Sequence, residues 1–230
     1  MSRVESWKRR WVLILLSAAV TASFFGGYRA AMEALARSWF LNYDVVVPGR
    51  LLRSAQPLPG DLELIKDTHG LGTIISLLYK EEESVIEWAR REDVKILVLK
   101  MHADVPPTED QVGFFFDVMR GDTVEFKDYG DTVRKHYGVG GSTARLPFPV
   151  LIHCRGGSDR TGVMVALYRI AFQNWSIEKA KQEMASRLHL SFAHPRQFEY
   201  IEKVAPGLTP YYGSKSASSD FLPENGRTAP

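Results

Sequence analysis

Three short runs carry most of the constraint on how this chain can fold. "TIISLL" (residues 73–78), "VKILVLKM" (94–101) and "PVLIHC" (149–154) are apolar almost without interruption. Each has the length of a strand, and a strand without polar alternation is covered on both faces. Between and beyond them the apolar residues return at helical spacing. Leu62 and Ile65 recur this way in "LPGDLELIKDTHG", where Gly70 and Gly72 can stop the turn. "KEEESVIEWARRE" puts acids first and arginines last, in keeping with the helix macrodipole. Thr108 and Gln111 form a capping-box pair ahead of Val112, Phe115, Phe116 and Met119 on one helical face. A helix over about 160–172, another with Ile177, Ala180, Met184 and Leu188 on one side, and a last piece around 195–204 complete the series. Strands alternating with helices predict an α/β domain, a mostly parallel sheet flanked by helices, over residues 43–206.

Two further β-rich runs, split by the turn dipeptide Pro48-Gly49, precede the first helix in "YDVVVPGRLLRSAQP". Residues 121–149 carry five glycines and many charges with no sustained period, which reads as a long inserted loop. Residues 207–230 have the composition of a disordered tail. At the other end, an uncharged stretch over 11–28 is long enough to cross a bilayer as a helix. Arg3, Lys8, Arg9 and Arg10 in the flank 1–10 would hold its front in the cytoplasm, with 29–42 as a linker. The expectation is a membrane-anchored protein whose folded domain is extracytoplasmic. A signal peptide cleaved near Val20-Thr21-Ala22, and export, is the alternative.

The formal charge is +2, and the first ten residues account for more than that, so the domain has no basic footprint for nucleic acid. The single cysteine rules out an intrachain disulfide and a cysteine-based zinc site. Its setting is "VLIHCRGGSDRTG" (150–162). In a parallel sheet, ligands bind beyond the carboxyl ends of the strands, where helix N-termini present free N–H groups. Cys154 lies at that edge. Gly156 and Gly157 let successive amides of the loop converge on an anion, and Arg160 adds a fork of donors matched to two phosphate oxygens. A helix end and a neighbouring cation favour thiolate over thiol, so the sulfur is expected to be nucleophilic. Ser158 and Thr161 are expected to give hydroxyl hydrogen bonds to it, with Arg155, Gly156, Gly157, Ser158, Asp159 and Thr161 lining the substrate's phosphate. His153 is expected to order the loop from behind.

His153-Cys154, Arg160-Thr161-Gly162 and the glycine at 157 resemble the signature loop of the cysteine-dependent protein tyrosine and dual-specificity phosphatases, in their compact bacterial form. "PGRLLRSAQP" and "GLGTIISL" extend that resemblance over roughly 45–204. It implies phosphomonoester hydrolysis through a cysteinyl-phosphate, without metal or cofactor, and an aspartate as general acid. Asp104 directly follows the strand ending at Met101, on the same sheet edge as Cys154. Asp122, Asp128 and Asp131 follow a helix that has run back. Asp159, inside the loop, is the alternative, as in myotubularin-like and Sac-like lipid phosphatases. The expected partner is a phosphorylated protein, lipid headgroup or inositol phosphate, with Arg155 and Lys80 as further cations at the rim. An inactive phosphate-binding module and a rhodanese-like sulfurtransferase are the competing classes.

Overall fold

The structure, a computed structural model, describes residues 42–187 and 195–208 apart from 103, 128 and 130–132. Six strands form one sheet in the order β1-β2-β8-β3-β4-β6: β1 Asp44–Val47, β2 Leu51–Ser54, β3 Thr73–Ser76, β4 Lys95–Leu99, β6 Val133–Tyr137 and β8 Val150–His153. The inner pairs β2/β8, β8/β3 and β3/β4 are parallel, whereas the edge strands β1 and β6 join antiparallel. The helices are α1 Pro59–His69, α2 Glu83–Arg91, α3 Glu109–Arg120, α4 Arg160–Gln173, α5 Ile177–Ser186 and α6 Pro195–Leu208. The expected mostly parallel α/β architecture is present.

The apolar runs divide their side chains between two cores, because successive residues of a strand point to opposite faces. Leu52, Ile74, Ile96 and Leu151 pack with Leu62 and Ile65 of α1 and with Val85, Ile86, Trp88 and Ala89 of α2. Leu51, Ile75, Leu97 and Ile152 pack with α3, α4, α5 and α6 on the other side. The helix boundaries follow from local chemistry. The Thr108 hydroxyl accepts from Gln111 N at 3.3 Å while Thr108 N donates to Gln111 Oε1 at 2.8 Å, closing the predicted capping box of α3. Gly121 ends that helix at φ +79°.

The segment 121–149 differs from its sequence reading. It holds β5 Val124–Glu125 and β7 Thr143–Ala144, which pair with each other, as well as β6. β6 extends the main sheet beside β4, in register Leu99↔Val133 and Val98↔Arg134. An edge strand needs backbone partners and little burial, so Arg134 and Lys135 can stay exposed and leave no apolar period to read.

The expectation of a membrane anchor and an extracytoplasmic domain is corrected. Among the described residues no helix is long and apolar enough to cross a membrane. The segment 11–28 that carried the expectation lies outside them, as do the rest of 1–41 and the tail from 209 onward. The anchor, the signal-cleavage alternative and the membrane as partner are withdrawn.

Candidate active site

The register of the inner strands aligns their carboxyl ends. Ser54 and Ser76 both stand opposite His153, so the segments after β2, β3 and β8 leave the sheet together. Leu77 N donates to His153 O at 2.8 Å, and Gln56 N to Arg155 O at 3.3 Å, which ties the chain after β8 to both neighbours. Cys154 follows β8 directly and is 2% exposed. Its sulfur accepts a hydrogen bond from Gly157 N at 3.3 Å. The loop then turns into α4, whose first residue is Arg160.

Gly157 is required by the turn. Its φ is +70°, and a Cβ there would stand 2.7 Å from Ala55 N and 2.8 Å from Ser54 C, both backbone atoms. Gly156 is not under that constraint, since the nearest atom to a Cβ is Ser158 Oγ at 3.4 Å and its φ is not left-handed. Of the two glycines read as conformationally special, one is.

Arg160 ties three loops into one site. Its Nη1 donates to Leu77 O at 3.1 Å and to Met101 O at 3.3 Å, the chain ends of β3 and β4. Its Nε is buried with no hydrogen-bond partner. The hydroxyls differ from expectation. Ser158 Oγ lies 3.4 Å from Asp159 Oδ2, and Thr161 Oγ1 is buried without a partner, so neither bonds the sulfur. The backbone amide of Gly157 takes that role because the left-handed turn points it inward.

His153 is fully buried, and its Nε2 lies 3.1 Å from Glu81 Oε2. The two atoms are close, although neither has a hydrogen-bond partner of good geometry. Burial would push the Glu81 carboxyl up, but His153, followed by Ser76 and the Glu82 amide, outweighs it and holds the carboxyl below the usual range. Glu81 Oε1 accepts from Glu82 N at 3.0 Å and from Gln56 Nε2 at 3.4 Å. The histidine thus meets a buried carboxylate of the segment after β3 that sequence reading did not assign.

Asp104 is exposed on the segment between β4 and α3, three residues past the Met101 carbonyl that Arg160 holds. Gln197 of α6 reaches the same segment, its Nε2 lying 3.5 Å from Val105 O. Asp122 sits at the other edge: it pairs with Arg120 at 2.6 Å, and the nearby Met119 carbonyl accepts from Arg50, which precedes β2. Asp128 and Asp131 lie outside the described residues. Asp159 is the residue before α4, and its side chain makes no cap hydrogen bond. Arg155 and Lys80 are exposed. Tyr79 and His102, one on each loop that Arg160 clasps, meet edge to face with centroids 5.2 Å apart.

Sequence reading missed the supports behind the loop, Asn42, Arg53 and Gln56. A visible signal was Arg53, a charge inside the otherwise buried strand "LLRS".

Residues 41–203 match the family described as Swiss Army Knife protein, DSP-PTPase phosphatase domain. The chain is 28% identical over 182 residues to the dual specificity protein phosphatase TpbA of Pseudomonas aeruginosa, covering 76% of this chain and 71% of that protein. The crystal structure of P. aeruginosa TpbA superimposes with a TM-score of 0.54 at 24% identity, over 74% of this chain and 89% of the other. The catalytic domain of the PP-IP phosphatase SIW14 from S. cerevisiae, in complex with citrate, gives a TM-score of 0.51 at 20% identity over 70% and 83%.

Proposed function

The chain belongs to the DSP-PTPase phosphatase family and is a phosphoric monoester hydrolase, and from that premise we propose that Cys154 is its nucleophile, Arg160 its phosphate fork and Asp104 its general acid. The Cys154 thiolate attacks phosphorus in line, the S–P bond forms, and the bond to the ester oxygen breaks. Asp104 gives that oxygen its proton and releases the alcohol or phenol. A water then loses a proton to the Asp104 carboxylate and attacks the same phosphorus, so phosphate leaves and the thiolate returns. In both steps the Arg160 guanidinium and the loop amides face the charge spread over the three equatorial oxygens.

The observation that carries this reading is the Gly157 amide donating to the sulfur at 3.3 Å, at the base of a loop whose arginine is pinned to the chain ends of β3 and β4. An amide aimed at the sulfur serves a thiolate and, after attack, a phosphoryl oxygen beside it. The arginine is fixed through Nη1, and its Nε has no partner to lose when phosphate arrives.

The substrate class is a phosphorylated protein side chain, phosphotyrosine with phosphoserine and phosphothreonine. The exposed Tyr79 ring and its neighbour His102 supply an aromatic wall on the loops next to Arg160, which favours an aryl phosphate. A second reading, a phosphorylated inositol, is favoured by the exposed cations Arg155 and Lys80. A phosphate-release panel with a phosphotyrosine peptide, a phosphoinositide and a soluble inositol phosphate decides between them. Release from the peptide by the wild type and none by Cys154→Ser is expected. Release from no substrate, or equal release by Cys154→Ser, overturns the assignment.

A further inference from the structure

The amides of the loop face inward only if its carbonyls are held outward, and three successive carbonyls are held from behind. Arg155 O accepts from Gln56 N at 3.3 Å, Gly156 O from Asn42 Nδ2 at 3.4 Å, and Gly157 O from Arg53 Nη2 at 2.6 Å. A trans peptide directs its C=O and the following N–H to opposite sides. These three contacts therefore fix the directions of the N–H groups of Gly156, Gly157 and Ser158. The middle one is the amide that meets Cys154 Sγ.

Arg53 is an unusual residue for that place. It lies in β2 opposite Ile152 and is 0% exposed, a cation in the middle of the sheet. Burying a guanidinium is costly unless it is paired. Here it has one carbonyl bond and a buried Nε with no partner. Burial pushes its pKa down to about 10, so it is still a cation at neutral pH, and the ionisable groups around it are Glu183 and Arg187 from the α5 region, Asp44 of β1 and Cys154. Asn42 anchors the same back wall, its Nδ2 also donating to Arg187 O at 2.8 Å.

We propose that Arg53 and Asn42 are positioning residues for phosphoryl transfer: by holding the Gly157 and Gly156 carbonyls outward they aim the Ser158 and Gly157 amides at the transferred oxygens. Neither touches substrate. Arg53 additionally places a fixed positive charge behind the sulfur, which helps an anionic reagent to reach it. This inference rests on the reading of Cys154 as nucleophile given above.

The test compares Arg53→Met, Arg53→Lys and Asn42→Gly in the full chain. Glycine suits position 42 because its φ is +48°, so the amide is removed without adding strain. Two readouts are taken from folded protein, checked by a cooperative thermal transition. One is the ratio of inactivation rates by iodoacetate, an anion, and iodoacetamide, its neutral analogue. The other is the division of the kinetic loss between kcat and KM. Arg53→Met is expected to lower the rate ratio about 10-fold and kcat about 100-fold, with KM changed less than about 3-fold, as for a lost transition-state donor. Arg53→Lys, which keeps a cation and a donor, is expected to recover most of both, and Asn42→Gly to lower each about 10-fold. A folded Arg53→Met variant with the wild-type ratio and kcat overturns the proposal. Should Arg53→Met not fold, an unchanged ratio in Asn42→Gly overturns it equally. A wild type that shows neither phosphate release nor preference for iodoacetate instead refutes the reading of the site on which the proposal rests.

Discussion

Gly157 and Gly156 are adjacent, chemically identical and placed under different constraints. A methyl on Gly157 would press on the backbone of Ser54 and Ala55 and would have to sit at φ +70°. Gly157→Ala is therefore expected to destabilise the fold by about 1–3 kcal/mol and to lower kcat/KM at least about 100-fold as the amide leaves the sulfur. Gly156→Ala, with only the flexible Ser158 hydroxyl nearby, is expected to keep the wild-type melting temperature and most of the activity. Thermal melts and phosphate release on the two variants check the contrast. Glu81 supplies a pH dependence at the same scale. Its folded carboxyl is held below the ordinary 4.5 of glutamate. An unfolded chain then takes up this proton first, so the stabilisation is present above pH 4.5 and is lost as pH falls through the lower folded value. Urea unfolding of Glu81→Gln is expected to show a flatter loss of stability below pH 4.5 than the wild type, and identical slopes would remove Glu81 from the account of acid sensitivity.

At the scale of elements, the site belongs to four loops rather than one. Arg160 bonds the ends of β3 and β4, and Gln56 after β2 bonds the signature loop after β8. Asp104 rides on the loop after β4, and Asp159 precedes α4. If proton transfer comes from the separate loop, Asp104→Asn lowers kcat about 100- to 10,000-fold and removes the basic limb of the pH profile, while Asp159→Asn keeps that limb. An Asp104→Asn enzyme with wild-type kcat on an alkyl phosphate would contradict the assignment. The cysteine, the arginine and their spacing were legible in the sequence because they share one loop and their chemistry is local. The clamp behind it was not, since Asn42 and Arg53 lie more than a hundred residues from the carbonyls they hold. β3, β4 and β8 announced themselves as continuous apolar runs, being covered on both sides. β6 did not, because an edge strand between exposed charges is made by backbone pairing that leaves no side-chain period.

Over the whole molecule, stability and chemistry are drawn from different places. One sheet separates two apolar cores, and the residues proposed to react lie beyond the aligned carboxyl ends of its inner strands. Trp88 of α2 is among the largest fully buried side chains, on the face opposite α4, and its Nε1 donates to Glu63 Oε2 at 2.8 Å. Trp88→Ala is expected to cost about 3–5 kcal/mol of stability while leaving kcat per folded molecule unchanged at a temperature where the variant stays folded. Denaturant titration beside active-site counting checks it. The central claim concerns the other end of that division, a thiolate that takes up a phosphoryl group. Rapid quench of the wild-type enzyme during turnover of a radiolabelled phosphoester, followed by peptide mapping, tests this most directly. The expected result is up to one label per chain, confined to the peptide that contains Cys154 and absent from Cys154→Ser. Turnover with no covalent label at any time, or a label on another residue, would contradict it.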